Sequence, residues 1–174
     1  MNAQERRKKI LDKLNKSVKP VKGTELSKEF DVSRQVIVQD IALLRAKGED
    51  ILATPQGYII PKAYKENKLT KKIVCKHEGY DEIEDELKTI IDLGGKVVDV
   101  IVEHPLYGEI KSSLEISSKL DLQEFMDNII KTKAEPLSSL TEGIHIHTIE
   151  VGDEKNFKRI EKVLAEKKYL INGD

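Results

Sequence analysis

The chain has 174 residues, of which 35% are charged and 39% hydrophobic, with a formal net charge of −1. That is room for one ordinary domain or two small ones of globular composition. Its apolar stretches, such as Val97 to Val102 with Asp99 inside it, fall far short of the roughly 18 residues a membrane helix needs.

No apolar segment or small-residue cleavage site follows the basic run Arg6-Arg7-Lys8-Lys9, so a cytoplasmic protein without a secretory signal is expected. A lone cysteine, Cys75, excludes an internal disulfide and reads as a small buried residue. The near-neutral total hides two unlike halves. Residues 1–62 carry 13 Lys/Arg against 8 Asp/Glu, and residues 63–174 carry 17 against 23. A basic half beside an acidic one points to two domains with different partners, and nucleic acid is the commonest partner of the basic one.

In chain order, Ile10, Leu11 and Leu14 predict a first helix from about Gln4 to about Lys16, broken by Lys19-Pro20. Leu26 and Phe30 share one face of a short second helix, with Thr24 as its cap. After the turn Asp31-Val32-Ser33, Ser33 caps a third helix whose buried stripe is Ile37, Ile41 and Leu44, and which stops near Lys47-Gly48. The segments 50–53, 54–57 and 58–60 read as strand, turn and strand. Three helices and a hairpin, with two helices across a three-residue turn, predict a winged helix-turn-helix over residues 1–62 whose third helix enters the major groove. Ser33, Arg34, Gln35, Val38 and Gln39 are its candidate base and backbone readers. Arg45, Lys47, Lys22 and the wing tip at Gln56 are candidate phosphate contacts. The run from Glu25 to Arg45 resembles the helix-turn-helix of small bacterial transcription regulators.

Residues 63–70 are polar and aperiodic and read as a linker. Beyond it, over 71–174, Ile73 to His77 is strand-like, and Tyr80 to Leu93 is a helix with Ile83, Leu87, Ile90 and Ile91 on one face. Lys96 to Glu103 is a Val/Ile-rich strand leading into the turn His104-Pro105-Leu106-Tyr107-Gly108-Glu109. Asp121 caps a helix through about Lys131 with Leu122, Phe125, Met126, Ile129 and Ile130 inward. A strand from Gly143 to Val151, a helix from Asp153 to Lys167 and a last strand from Tyr169 to Ile171 complete the pattern. The fold class is α+β, with a sandwich-like sheet-and-helix domain behind the winged helix.

All four histidines, at 77, 104, 145 and 147, lie in this second half. Strand alternation puts His145 and His147 on one face with Ile146 on the other, so the pair can share a metal. His77, ending another strand, and Glu86 on the helix that follows would complete a three-nitrogen, one-oxygen shell for a divalent transition metal. Such a donor set fits nickel, zinc, iron or manganese alike. His104 and Tyr107, flanking Pro105 and Gly108, read equally as a pocket rim or as a plain turn.

His77, the run Asp99 to Glu109, and the run Ser139 to Thr148 together resemble the three-histidine (3H) domain of the niacin-responsive transcriptional repressors, which also carry a helix-turn-helix in front of it. The resemblance covers almost the whole chain. It implies a DNA-binding repressor of NAD-biosynthesis and niacin-uptake genes with nicotinic acid as co-repressor, acting as a homodimer on double-stranded operator DNA. It also implies a metal site at His77, Glu86, His145 and His147, with Asp85 as the competing carboxylate, and effector contacts at His104 and Tyr107. Two other readings stay open. One is a metal-sensing regulator. The other, an enzyme, has little support, because Glu150 falls on the opposite strand face from the histidines and no phosphate loop or nucleophile elbow is present.

Overall fold

The computed structural model describes residues 1–61 and 68–172, and these divide into two compact units on either side of residues 62–67. Most of the expected linker therefore lies outside the described residues. Its last two positions, 69 and 70, are already strand.

In the N-terminal unit, α1 (Ala3–Lys16) begins with a capping box. The Asn2 side chain accepts from the Glu5 N–H at 2.8 Å while the Glu5 carboxylate accepts from the Asn2 N–H. The short α2 (Gly23–Glu29) starts after Lys22, which makes no side-chain cap bond. Thr24, expected to be the cap, lies inside the first turn. Ser33 does cap α3 (Arg34–Ala46), its hydroxyl accepting from Val36 N–H at 3.3 Å. Ile10, Leu14, Leu26, Ile37, Ile41 and Leu44 join Val21 and Ile51 in one core. The wing is β1 (Leu52–Thr54) against β2 (Gly57–Ile59), antiparallel, and Val21 exchanges two backbone hydrogen bonds with Tyr58 as a short third rung. Gly57 has φ +133°, and a Cβ there would lie 2.4 Å from the Val21 carbonyl oxygen, so the wing closes on Val21 only with glycine.

The C-terminal unit runs β3 (Leu69–Lys76), α4 (Tyr80–Asp92), β4 (Lys96–His104), β5 (Gly108–Ile116), α5 (Lys119–Thr132), a 3-10 helix (Leu137–Thr141), β6 (Ile144–Val151) and α6 (Glu154–Glu166). The four strands form one antiparallel sheet in the order β3-β6-β4-β5. The helices cover one face of it, where Ile73, Cys75, Val97, Leu114, Ile116, Ile149 and Val151 meet Leu87, Ile90, Leu122, Met126, Phe157, Ile160 and Leu164. The architecture is α+β, with sheet and helices in two layers.

Four expectations change here. The stretch after Tyr107 is a full strand, β5, which periodicity alone did not reveal. Ser118, not Asp121, caps α5: Asp121 sits three residues in and returns its carboxylate to the Ser118 N–H. Ile130 is 62% exposed, outside the buried stripe. Tyr169 to Ile171 form no strand but make a single bridge, Leu170 against Cys75. No helix among the described residues is long and apolar enough to cross a membrane.

Candidate metal centre and DNA-reading face

β6 carries His145 opposite Cys75 and His147 opposite Ile73 on β3. Directly paired residues share a face, and Cys75 and Ile73 belong to the core, so both imidazoles point under the helices rather than into solvent. His77 follows the end of β3. From the helical layer Glu86 comes down to meet them, because it falls three residues after Ile83 and four before Ile90, in the middle of the buried stripe of α4. The four side chains converge. His77 Nε2 contacts Glu86 Oε2, His145 Nε2 lies 3.1 and 3.3 Å from the two carboxylate oxygens, and His147 Nε2 lies 3.5 Å from Oε1. All four residues are buried.

Two of the rings have fixed tautomers. His145 Nδ1 is 2.8 Å from the Gly143 carbonyl and His147 Nδ1 is 2.7 Å from the Asp99 carbonyl. A carbonyl only accepts, so each Nδ1 carries a hydrogen and turns its Nε2 toward Glu86, where that nitrogen donates to the carboxylate when protonated and offers its lone pair to a metal when not. His77 Nδ1 is buried without a partner among the described residues. Burial by itself would raise the Glu86 carboxyl. The charge of His147 and hydrogen bonds from His145, His147 and His77 outweigh it and hold the group well below the usual carboxylate range. His147 moves the opposite way: burial disfavours its charge, but the Glu86 carboxylate, with the Asp99 carbonyl behind, raises it. A buried anion ringed by imidazole nitrogens is held by a cation, whether a proton on a ring or a divalent metal ion between the nitrogens, so the donor set fits such an ion.

Two neighbours belong to other roles. Asp85, one residue round the helix, bonds Lys167 Nζ at 2.8 Å and Tyr169 Oη at 2.8 Å, with its carboxyl lowered chiefly by Lys167. Cys75 Sγ lies with a Glu86 oxygen and a His145 nitrogen inside a 4.8 Å cluster. Burial pushes this thiol up, and the adjacent carboxylate adds to it, so Cys75 stays protonated beside Glu86. Above the histidines opens a cavity of about 210 Å³ walled by α4, β4, β5, α5 and the segment 134–138.

His104 and Tyr107 do not line this cavity. They sit at the β4–β5 hairpin tip, where His104 Nδ1 accepts from the Leu106 and Tyr107 N–H groups at 3.1 and 3.2 Å and the two rings stack at 5.0 Å. The turn uses His104 for its own closure and leaves Tyr107 73% exposed. The two expected effector contacts thus lie at a hairpin tip, outside this cavity.

In the N-terminal unit Arg34, Gln35, Val38 and Gln39 are exposed on α3, Ser33 at its start, and Lys47 and Lys22 are also exposed. Arg45 is partly committed, its Nε donating to the Ile51 carbonyl at 2.7 Å. Gln56, expected at the wing tip, is buried at 8% exposure, and neither of its amide atoms has a partner among the described residues. Thr54 Oγ1 accepts from Gln56 N–H and donates to the Gly57 carbonyl, closing the turn with the Gln56 side chain inward. Sequence reasoning missed Asp40. Its buried carboxylate receives Arg6 Nε at 2.6 Å and Arg7 Nη1 at 3.2 Å, clasping α1 to α3. The signal was available: an aspartate three residues after Ile37 and four before Leu44 lies on the apolar stripe.

Residues 70–173 match the 3H domain family, and residues 6–59 match an HTH domain. Over 168 residues the chain is 45% identical to a probable transcription repressor, NiaR, of Thermotoga maritima, covering 97% of this chain and 94% of that one. Over 167 residues it is 39% identical to the transcription repressor NadR of Bacillus subtilis, covering 95% and 93%.

Proposed function

The chain belongs to the 3H-domain family of helix-turn-helix transcription repressors, and from that premise we propose that it represses NAD-biosynthesis and niacin-uptake genes with nicotinic acid as co-repressor. It is a DNA-binding regulator and not an enzyme. The observation that carries the ligand reading is the convergence of His77, His145 and His147 on Glu86 at the base of a largely apolar cavity. A divalent transition metal held by these four side chains would supply a Lewis-acid anchor for a carboxylate or a pyridine nitrogen. The chain's own part is to orient. The Gly143 and Asp99 carbonyls fix two rings, Glu86 supplies the negative charge, and the apolar walls take up a flat ring while excluding water.

Repression requires only that the ligand bind one arrangement of the protein better than another, and a homodimer presenting two reading helices gives the operator specificity that one small helix lacks. Arg34, Gln35 and Gln39 read the operator, with Lys22 and Lys47 on its phosphates. A thermal melt with nicotinic acid or nicotinamide, before and after chelation, tests this. At 100 times its dissociation constant a ligand adds about 2.7 kcal/mol, several degrees for a chain of this size. Stabilisation by nicotinic acid in the metal-loaded protein alone is the expected result. No shift with metal demonstrably bound sinks the niacin reading and leaves a repressor that senses the metal itself.

A further inference from the structure

Away from the histidine cluster, the polar residues lining the cavity are Ser112, Glu135 and Ser138, and among the described residues no lysine or arginine lines it. Ser112 and Glu135 are open to solvent. Ser138, on the 3-10 helix, is buried to 8% exposure, and its hydroxyl has no hydrogen-bond partner among the described residues. Its oxygen is not among the buried polar atoms sealed from solvent, so a molecule that fills the cavity strips water from this hydroxyl and must supply the partner that the chain does not.

Resting on the proposed niacin reading, we infer that the Ser138 hydroxyl donates to a ring heteroatom of the bound molecule and selects heteroaromatic acids over carbocyclic ones. The acid group then faces the histidine end, where the only cation is one held by the cluster, and the ring acceptor meets Ser138. Burial makes this contact selective. A ligand of the same shape without an acceptor displaces the water from this hydroxyl and leaves it unpaired, whereas at the exposed Ser112 water fills the gap.

The main chain ties this reader to the cluster. The Ser138 carbonyl accepts from Gly143 N–H at 2.8 Å, and the Gly143 carbonyl accepts from His145 Nδ1 at 2.8 Å and from His77 N–H at 3.3 Å. One residue, Gly143, thus ties the wall that carries Ser138 to the His145 imidazole and to the His77 main chain.

The test is calorimetric titration of nicotinic acid and of benzoic acid, which has the same outline without the ring nitrogen, into metal-loaded full-length protein and its Ser138→Ala variant. Metal content is checked by elemental analysis. The wild type is expected to prefer nicotinic acid by about tenfold, and Ser138→Ala to bring that ratio close to one by weakening nicotinic acid alone. An unchanged ratio in the variant overturns the assignment of Ser138, even if both affinities fall together, and leaves the niacin reading standing. A metal-loaded wild type that takes up neither acid overturns both, and needs no variant to show it.

Discussion

Each unit buries one carboxylate in the apolar stripe of a helix, and the two are neutralised differently. Asp40 on α3 is met by the guanidinium groups of Arg6 and Arg7, and Glu86 on α4 is met by three imidazoles. No lysine or arginine pairs with Glu86 among the described residues. Guanidinium is charged at every accessible pH and ligates no metal, so the Asp40 clasp serves to hold α1 against α3, the proposed reading helix. Imidazole can shed its proton and offer a lone pair, so the Glu86 cluster can exchange one cation for another. The same buried charge is a fastening in one place and the proposed binding site in the other because of its partners' chemistry.

The comparison can be broken most directly at its metal-binding side. His145→Ala should weaken metal binding by more than the roughly 100-fold typical of losing an outer partner, and abolish stabilisation by nicotinic acid; equilibrium dialysis and thermal melts read both. Asp40→Ala leaves two arginines facing a buried gap that they cannot discharge, and should cost the N-terminal unit about 3 kcal/mol in urea unfolding while sparing metal content. Glu86→Gln, measured in chelator-stripped protein, sharpens the contrast. The imidazoles can go neutral around an amide, so the expected cost is under about 1 kcal/mol, and a loss as large as that of Asp40→Ala would make the Glu86 cluster a fastening too.

Asp85→Asn should have the smallest effect, under about 1 kcal/mol for a half-exposed pair, with metal binding unchanged. Its pH dependence has a definite sign. The Asp85 carboxyl is lowered by Lys167, so its contribution is present above the unfolded value and fades as pH falls through the depressed folded one. The difference between wild type and variant should close below about pH 4.

Much of this was legible beforehand where one local signal dominated. The α3 cap at Ser33, the Ile37-Ile41-Leu44 stripe and the shared face of His145 and His147 each follow from spacing alone. Spacing failed where a residue's role is set by something distant in sequence. β5 is an edge strand that is largely exposed and polar over residues 108–112, so it lacks an alternating apolar pattern there, and pairing with β4 is what makes it a strand. Asp85 and Glu86 are indistinguishable by composition, and the phase of the α4 stripe separates them. His104 carried the chemistry of a ligand contact, but the two backbone N–H groups of its own turn use its Nδ1. Thr24 and Asp121 are good capping types one or more positions inside their helices, which is the usual imprecision of a boundary read without backbone geometry.

The strand order has a consequence during synthesis. The core of the N-terminal unit, from α1 through the wing, is complete by residue 60, so it can fold once its hairpin has left the ribosome. The sheet of the other unit places β6 between β3 and β4, so neither can pair with it, and His77 and Glu86 cannot meet His145 and His147, until nearly the last strand has been translated. Every nascent molecule therefore passes through a period in which the DNA-reading helix is formed and the domain that would govern it is not.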